Sequence, residues 1–445
     1  MSDFEEQNTI SDQQSEQQPD IQVIDLSVSE SVAPVMKEET PKRGRIGMLI
    51  LGILIGALIS NLVVLAMLKI KGPQKLVVLG EDLQDTKSTV LTKDVSEKLS
   101  ILEKTIRKYY IDEVKNEDMA DGLYAGLLGS IGDRYADYYT QDDMNSLMEK
   151  TTGVFYGIGA YVGIDADTNY PKLTGIIENT PAEKAGLKAE DILIKVDDKN
   201  VRGMELSDVV SLIKGDAGTD VVLTIYRNGV TDYFDVTVTR AKVESPTVTY
   251  EMKEDNIAYI YIHQFESVTS DQFAEKLQQA RDDQMKGLII DLRSNPGGTM
   301  GSVIEVARML LPKGIIVYTE DKYGDRKTFK CDGDHEIDVP MVLLINENSA
   351  SASEILAGAV KDYGIGTLVG KKTFGKGIVQ KVFYLSDGSG LKLTISHYYT
   401  PKGNDIHEVG IEPDVEVDLD VDKYLDEDID TQYDKAMEVL KEKMK

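Results

Sequence analysis

An uninterrupted apolar run near the N-terminus limits, more than any other feature, what this chain can fold into. Residues 46–68, IGMLILGILIGALISNLVVLAML, contain no charged side chain. At about 1.5 Å per residue, a helix of this length crosses a bilayer core of about 30 Å. A cleaved signal peptide would have a shorter apolar run and a small-residue cleavage site. We therefore predict a retained, single transmembrane helix.

The residues before this run, 1–45, are rich in Glu, Asp, Gln and Ser and show no apolar periodicity. Such a segment cannot bury enough apolar surface to offset the entropy of ordering, so we predict a disordered acidic tail. Basic residues flank the span on both sides. The charge rule for membrane topology therefore does not decide which side of the membrane each end occupies.

Composition excludes several classes of function. The 445 residues include 77 acidic and 49 basic side chains, a net charge of −28, and no basic stripe that could form a nucleic-acid footprint. The single cysteine, Cys331, excludes an intrachain disulfide. Neither an H-E-x-x-H nor a G-x-S-x-G motif occurs, which disfavours a metalloprotease and a Ser-His-Asp hydrolase. We predict no metal and no cofactor.

Residues 153–240 contain the run FYGIGAYVGI, followed by TPAEKAGLKAEDILIKVDDKNV. These runs resemble a carboxylate-binding loop with its following strand, helix and turn in a PDZ domain, a module that binds peptides. Its GIGA turn can form a backbone nest whose N–H groups receive a peptide's terminal carboxylate, while the peptide adds a strand to the sheet edge. The predicted carboxylate-binding residues are Gly157, Ile158, Gly159 and Ala160. For the glycine pair alone, a tight hairpin without a binding function is the alternative.

Strands and helices alternate from residue 257 onward, which predicts an α/β core. The turn after the strand-like run GLIIDLR carries Asn295-Pro296-Gly297-Gly298 at the start of the next helix. Unpaired N–H groups at such a place can face a developing oxyanion. In isolation, ordinary turn chemistry explains this turn equally well.

A second strand-like run, MVLLI, is followed by the small residues of SASAS and then by a helical segment. A serine hydroxyl at such a turn is a weak nucleophile and needs an adjacent base. No histidine lies within residues 346–380, whereas Lys376 follows Ser351 after enough chain for a helix and a strand. From the residues alone, a Ser-Lys dyad and a solvated lysine loop after a helix start remain equally open.

The sequence SASASEI followed by GKKTFGKGIVQ is similar to the signature of the C-terminal processing peptidases, also called tail-specific proteases. This resemblance extends over roughly residues 93–418 and implies serine protease activity with a Ser-Lys dyad. It implies that Ser351 is the nucleophile, that Lys376 is the general base and that Gln380 orients the lysine. The implied oxyanion hole consists of backbone N–H groups of Gly297, Gly298 and Ala352.

The resemblance has further implications. Asp362 lies where some members have a functionally sensitive aspartate, although we favour a helix-end carboxylate that stabilises the local fold. The closing helix, residues 431–445, either joins a homodimer interface, as family members allow, or is a solvated surface helix. Anchored members of this type work beyond the cytoplasmic membrane, so we predict an extracytoplasmic catalytic domain.

Together these features predict a multidomain α/β (α+β) protein with a protease core of the tail-specific type. We predict a membrane-anchored serine endopeptidase that recognises the exposed C-terminal tails of protein substrates. The alternative is a non-proteolytic, PDZ-containing scaffold on the same fold. The predicted segments are the tail 1–45, the membrane helix 46–68, a linker 69–92, a helical region 93–152, the PDZ domain 153–240, the protease core 241–418, and an acidic stretch with the closing helix 419–445.

Overall fold

The computed structural model describes residues 90–445, which divide into two units. The smaller unit comprises residues 90–149 and 380–396, and the larger unit comprises residues 150–379 and 397–445.

The predicted acidic tail 1–45 and membrane helix 46–68 lie outside the described residues. From residue 90 to the C-terminus, no helix has both the length and the apolar character needed to cross a membrane.

The first part of the described chain is helical, as predicted. Its elements are α1 (Lys93–Tyr109), α2 (Asn116–Gly129), β1 (Asp137–Tyr139) and α3 (Gln141–Thr152). Thr92 caps the start of α1 by accepting a hydrogen bond from the Val95 N–H group. Neither α1 nor α2 has a buried residue in the described structure, so both helices present apolar side chains to solvent.

The predicted PDZ region forms a small sheet domain. Its strands are β2 (Val154–Gly157), β3 (Ala160–Ile164), β4 (Pro171–Ile176), β5 (Ile192–Val196), β6 (Lys199–Asn200), β7 (Asp220–Tyr226), β8 (Phe234–Thr239) and β9 (Ala241–Glu244). Two helices, α4 (Pro181–Lys184) and α5 (Leu206–Ile213), complete it. The main sheet has the order β3-β4-β5-β7-β8, and β2 pairs separately with β9. Val209 and Ile213 of α5 pack into the apolar core of this domain.

The protease region contains a six-stranded sheet with the order β10-β11-β12-β15-β16-β19. These strands are β10 (Val248–Lys253), β11 (Ile257–Ile262), β12 (Gly287–Asp291), β15 (Met341–Ile345), β16 (Thr367–Gly370) and β19 (Val415–Glu416). Strands β11 to β19 in this order are parallel, and β10 is antiparallel to β11. Every residue of β12 and β15 is buried, which confirms the strands predicted from their apolar runs.

Four longer helices pack with this sheet: α6 (Thr269–Asp282), α7 (Met300–Arg308), α8 (Ala352–Tyr363) and α10 (Thr431–Lys443). A short helix, α9 (Val421–Glu427), lies within the acidic stretch and was not predicted. Helix α10 buries Ala436, Met437 and Leu440 against the apolar side chains of the sheet. The closing helix is therefore not a solvated surface helix, because one of its faces completes the core.

Two hairpins lie outside this sheet. Strands β13 (Gly314–Asp321) and β14 (Arg326–Cys331) pair antiparallel and belong to a different sheet, although the alternation of strands and helices from residue 257 onward predicted one α/β core. Strands β17 (Ile378–Tyr384) and β18 (Gly390–Tyr399) form a second hairpin after the lysine loop. In the smaller unit, β1 pairs antiparallel with β18, and Met144 and Val382 form a small apolar centre.

The arrangement of the parallel strands determines where the candidate site forms. Strands β12 and β15 are adjacent and parallel, so their carboxyl ends meet at the same edge of the sheet. Ligands bind at this edge in open α/β sheets. The two turns singled out in the sequence, after GLIIDLR and after MVLLI, therefore lie side by side.

Candidate active site

Ser351 occupies a strained turn between β15 and α8. Its φ of 54° and ψ of −112° lie outside the regions that non-glycine residues usually adopt. Such strain costs about 1–3 kcal/mol and persists only where the surroundings enforce it. The side chain is fully buried, and it directly precedes the first turn of α8, where backbone N–H groups lack helical partners.

The three serines of SASAS differ in their hydrogen bonds. The Ser349 hydroxyl donates to the Leu292 carbonyl at 2.7 Å, and the Ser353 hydroxyl donates to the Asn295 carbonyl at 3.0 Å. Within the described residues, the Ser351 hydroxyl has no hydrogen-bond partner. The two outer serines therefore hold the turn, and only the middle hydroxyl is available for chemistry.

Glu354, which the sequence analysis did not single out, joins the serine turn to the lysine loop. Its Oε2 accepts hydrogen bonds from the N–H groups of Ser351 and Lys376, both at 2.8 Å. Its Oε1 accepts from the Gly375 N–H group at 2.7 Å and from the Thr373 hydroxyl at 2.6 Å. Burial raises the pKa of Glu354, and these four donors oppose that effect because they stabilise the charged form.

Tyr398 of β18 makes a second connection between the two segments. Its hydroxyl lies 2.9 Å from the Ser351 carbonyl oxygen and also within hydrogen-bonding distance of the Lys376 carbonyl oxygen. Lys376 is buried, at 3% exposure. The structure thus fixes the backbones of residues 351 and 376 to one another through two buried side chains.

The Asn295-Pro296-Gly297-Gly298 turn packs directly on the serine turn. A Cβ atom on Gly297, whose φ is +103°, would lie 2.7 Å from Ser351 Cβ and 2.9 Å from the Ala352 nitrogen. Only glycine permits this approach. The buried Asn295 side chain anchors the turn by donating to the Ile262 carbonyl at 2.7 Å.

One of the three N–H groups predicted to form the oxyanion hole already donates a hydrogen bond. The Gly297 N–H group donates to the Asn295 side-chain oxygen at 2.9 Å, so it is already used within its own turn. In the described chain, the N–H groups of Gly298 and Ala352 donate no hydrogen bond. Gly297 therefore provides close approach, and the available donors are Gly298 and Ala352.

Gln380 lies in β17 within the smaller unit and is buried. Its side-chain nitrogen donates to the Thr394 hydroxyl of β18 at 3.2 Å. Its assignment as the group that orients Lys376 stays a prediction.

Asp362 near the end of α8 makes local contacts. One carboxylate oxygen accepts a hydrogen bond from the Lys402 N–H group at 2.8 Å, and the other accepts from the Asn404 side chain at 3.4 Å. These bonds tie the end of α8 to the following loop. They support a structural role for Asp362.

The GIGA turn of the PDZ domain combines a packing constraint with available donors. A Cβ atom on Gly159, whose φ is +84°, would lie 2.3 Å from Thr180 Cβ. Contact with Thr180 therefore requires glycine at this position. The N–H groups of Ile158 and Gly159 donate no hydrogen bond within residues 90–445. Gly157 ends β2, and Ala160 begins β3.

One sequence signal could have revealed Glu354. Ser351 and Glu354 form an S-x-x-E pattern, which is typical of a capping box at a helix start. The bonds from Thr373, Gly375 and Lys376 have no local signal, because these residues reach Glu354 only through the tertiary fold.

Two family models match this chain. Peptidase family S41 matches residues 256–417, and the PDZ domain model matches residues 173–227. Together with the parallel sheet and the buried serine turn, these matches define a serine-type protease with a PDZ domain.

The chain is similar to curated proteins over most of its length. It is 32% identical to the carboxyl-terminal-processing protease of Synechocystis sp., covering 75% of this chain and 79% of that one. It is 35% identical to the carboxy-terminal processing protease CtpA of Bacillus subtilis, covering 72% and 68%. Among solved structures, the photosystem II D1 C-terminal processing protease aligns at 30% identity over 72% and 87% of the two chains, with a TM-score of 0.43. This chain belongs to the carboxyl-terminal processing protease family.

Proposed function

We propose that this chain is an endopeptidase that uses Ser351 as nucleophile and Lys376 as general base. The observation that carries the proposal is the state of the Ser351 hydroxyl. It is buried and unpartnered in the described structure, whereas the neighbouring serine hydroxyls are bonded. Its backbone is joined through Glu354 to that of Lys376.

In the proposed reaction, Ser351 Oγ attacks the carbonyl carbon of the scissile peptide bond, and its proton passes to the neutral amine of Lys376. The N–H groups of Gly298 and Ala352 stabilise the negative oxygen that forms. Lys376 then returns the proton to the leaving amine. A water molecule next attacks the carbonyl carbon of the acyl-enzyme ester, and its proton passes to Lys376. The ester bond to Ser351 then breaks, the carboxylic acid product leaves, and Lys376 returns the proton to the Ser351 oxygen.

Burial supports lysine as the base. A lysine accepts a proton only when its neutral form is accessible, and a buried site disfavours the ammonium charge. Lys376 is 3% exposed. We assign Gln380 the orienting role on the family resemblance; it lies in β17, four residues after Lys376.

We further propose that the PDZ domain captures the C-terminal tails of protein substrates. The amides of Ile158 and Gly159 are available to a terminal carboxylate, and helix α5 contacts strand β3, beside which a peptide would bind in the usual mode of strand addition. Delivery of tails to the serine would explain why one chain holds both domains.

A peptide with a free C-terminal carboxylate should bind this chain at least about tenfold more tightly than its amidated form, because the amide cap removes the charge that the GIGA amides receive. Calorimetry on the Ser351→Ala chain measures both affinities without hydrolysis. The matched variant Gly159→Ala, whose Cβ would meet Thr180, should remove the difference. Equal affinities for the two peptides in the parent chain would contradict carboxylate capture.

We also propose that residues 46–68 anchor the chain in the membrane with the protease outside the cytoplasm. Protease added to intact cells should then digest residues after Leu68 and spare the acidic tail, because the bilayer shields the tail. Antibodies to each end detect the two products. Digestion of the tail with protection of the remainder would reverse the proposed orientation.

A further inference from the structure

The PDZ domain joins the protease core through two chain segments, residues 151–153 and residues 245–247. The Ser245 N–H group donates to the Gly153 carbonyl at 2.8 Å, which ties the two segments together. The Ser267 N–H group donates to the Thr151 carbonyl at 3.0 Å, and the Gln272 side chain donates to the Ser245 carbonyl at 2.8 Å. These bonds hold both segments against the beginning of α6. We call this arrangement the PDZ junction.

The carboxyl group of Glu266 lies inside the PDZ junction. A Cβ atom on Gly153, whose φ is +72°, would lie 2.2 Å from Glu266 Oε2, so the carboxyl group rests directly on the Gly153 backbone. Glu266 Oε2 is buried, and in the described chain it has no hydrogen-bond partner. An unpaired buried oxygen of this kind is costly when the group is charged.

Three neutral groups lie near the Glu266 carboxyl group in the described structure. They are the Ser245 hydroxyl, the Val268 methyl group beside Gly153, and the Tyr161 phenol of β3. Among residues 90–445, no cation forms a salt bridge with Glu266. Burial raises the pKa of Glu266 to about 7, and the Ser245 hydroxyl only partly opposes it. Burial and then the charge of Glu266 raise the pKa of Tyr161.

The residue before Glu266 holds the turn that carries the oxyanion donors. The Phe265 N–H group donates to the Gly297 carbonyl at 2.8 Å, and the Thr299 N–H group donates to the Phe265 carbonyl at 2.6 Å. Glu266 therefore has its carboxyl group in the PDZ junction and directly follows the residue that holds the oxyanion turn.

We propose that Glu266 is a proton-linked positioning residue, which holds the PDZ junction closed while its carboxyl group is neutral and releases it on ionisation. Because it concerns control of proteolysis, the inference rests on the proposed function. The junction is the two-state element, and the proton is the ligand that favours one state.

The direction of the effect follows from linkage. The closed junction binds the proton more tightly than an open one, in which Glu266 would have an ordinary carboxyl value near 4.5. The closed state is therefore most stable below about pH 4.5, and it loses stability as the pH rises to about 7. Across that window, the ratio of released to closed molecules rises up to about tenfold for each pH unit.

Hydrogen exchange at the junction tests this proposal on the full-length Ser351→Ala chain. The reporters are the amides of Ser245 and Ser267, whose bonds close the junction. After correction for the intrinsic exchange rate, their protection should fall at least about tenfold between pH 5 and pH 7. In the Glu266→Gln variant it should stay constant. The control Glu275→Gln, which removes an exposed carboxylate of α6, should behave like the parent.

Protection of Ser245 and Ser267 that is independent of pH in the parent would overturn the proposal, as would an equal fall in the Glu266→Gln variant. If that variant does not fold, shown by lost protection of β12, the pH response of the parent alone decides. The readout needs no hydrolysis. If the chain cleaves no peptide but shows the pH response, the proposed function is contradicted, while the role of Glu266 in closing the junction stands.

Discussion

Replacing Lys376 by arginine should reduce the rate of peptide hydrolysis by at least about a thousandfold, within the range that general acid-base catalysis contributes. Arginine keeps the positive charge and the reach of lysine, but it cannot lose a proton in a protein. The proposed general base must be neutral when it accepts the Ser351 proton, and burial of the Lys376 site disfavours a charged side chain. Lys376→Ala should cause a similar loss. The kcat measured with a fluorogenic peptide checks both variants.

The matched control is Lys372→Arg, which changes an exposed lysine of the same loop that pairs with Glu412. It should hydrolyse the peptide at the parent rate. Urea unfolding and tail-peptide binding should be the same for all folded variants. A kcat for Lys376→Arg within tenfold of the parent, about 1.4 kcal/mol in barrier, would show that the lysine acts only as a fixed charge.

Replacing Glu354 by glutamine should lower kcat by about a hundredfold or more, although Glu354 is a positioning residue that reaches the substrate only through Ser351 and Lys376. Each carboxylate oxygen accepts two hydrogen bonds in the structure. The amide nitrogen of glutamine cannot accept, so two N–H or O–H donors would face another donor. Displacement of the reacting groups by about 1 Å costs a loss of this size.

The same substitution should lower the free energy of unfolding by about 3 kcal/mol, because buried donors lose their acceptor. A positioning role predicts that kcat falls while KM for the peptide changes little. The control is Glu347→Gln, which alters an exposed carboxylate of the neighbouring turn. A folded Glu354→Gln chain with kcat within tenfold of the parent would refute the role assigned to Glu354.

The strands of the protease core could be predicted because their apolar sequences indicate that they are buried. The runs of β11, β12 and β15 are apolar at almost every position. This pattern is typical of a strand that is buried on both faces of a sheet. The alternation of strands and helices predicts the β13 run in this core, whereas the β13–β14 hairpin lies outside the six-stranded sheet. Its apolar first strand has the local pattern of a core strand, and pattern alone does not specify the pairing partner.

The choice among the three serines of SASAS could not be made from spacing or composition, and it depended on family resemblance. The physical distinction is that the hydroxyl groups of Ser349 and Ser353 donate hydrogen bonds to carbonyl groups that are distant in sequence. Leu292 and Asn295 are brought there by the parallel pairing of β12 and β15. No local signal contains such a contact.

At two glycines that the sequence singled out, the structure shows contacts that the sequence does not reveal. Gly297 was expected to donate its N–H group to an oxyanion, but the Asn295 side chain takes that donor. Gly159 was predicted to lie in a carboxylate-binding turn, and Thr180 occupies the space where its Cβ would lie. In both cases the sequence showed that a side chain is excluded, and only the tertiary structure showed what excludes it.

The central claim is that Ser351 performs the chemistry, and its most direct test is the rate of peptide hydrolysis by the three single variants Ser349→Ala, Ser351→Ala and Ser353→Ala. We expect Ser351→Ala to lose at least about a thousandfold in kcat, since no nucleophile remains. The other two variants lose only hydrogen bonds to the Leu292 and Asn295 carbonyls, so they should keep at least about a tenth of the parent rate. Hydrolysis by Ser351→Ala at the parent rate, or no hydrolysis by the parent chain itself, would contradict the account and favour a non-proteolytic scaffold.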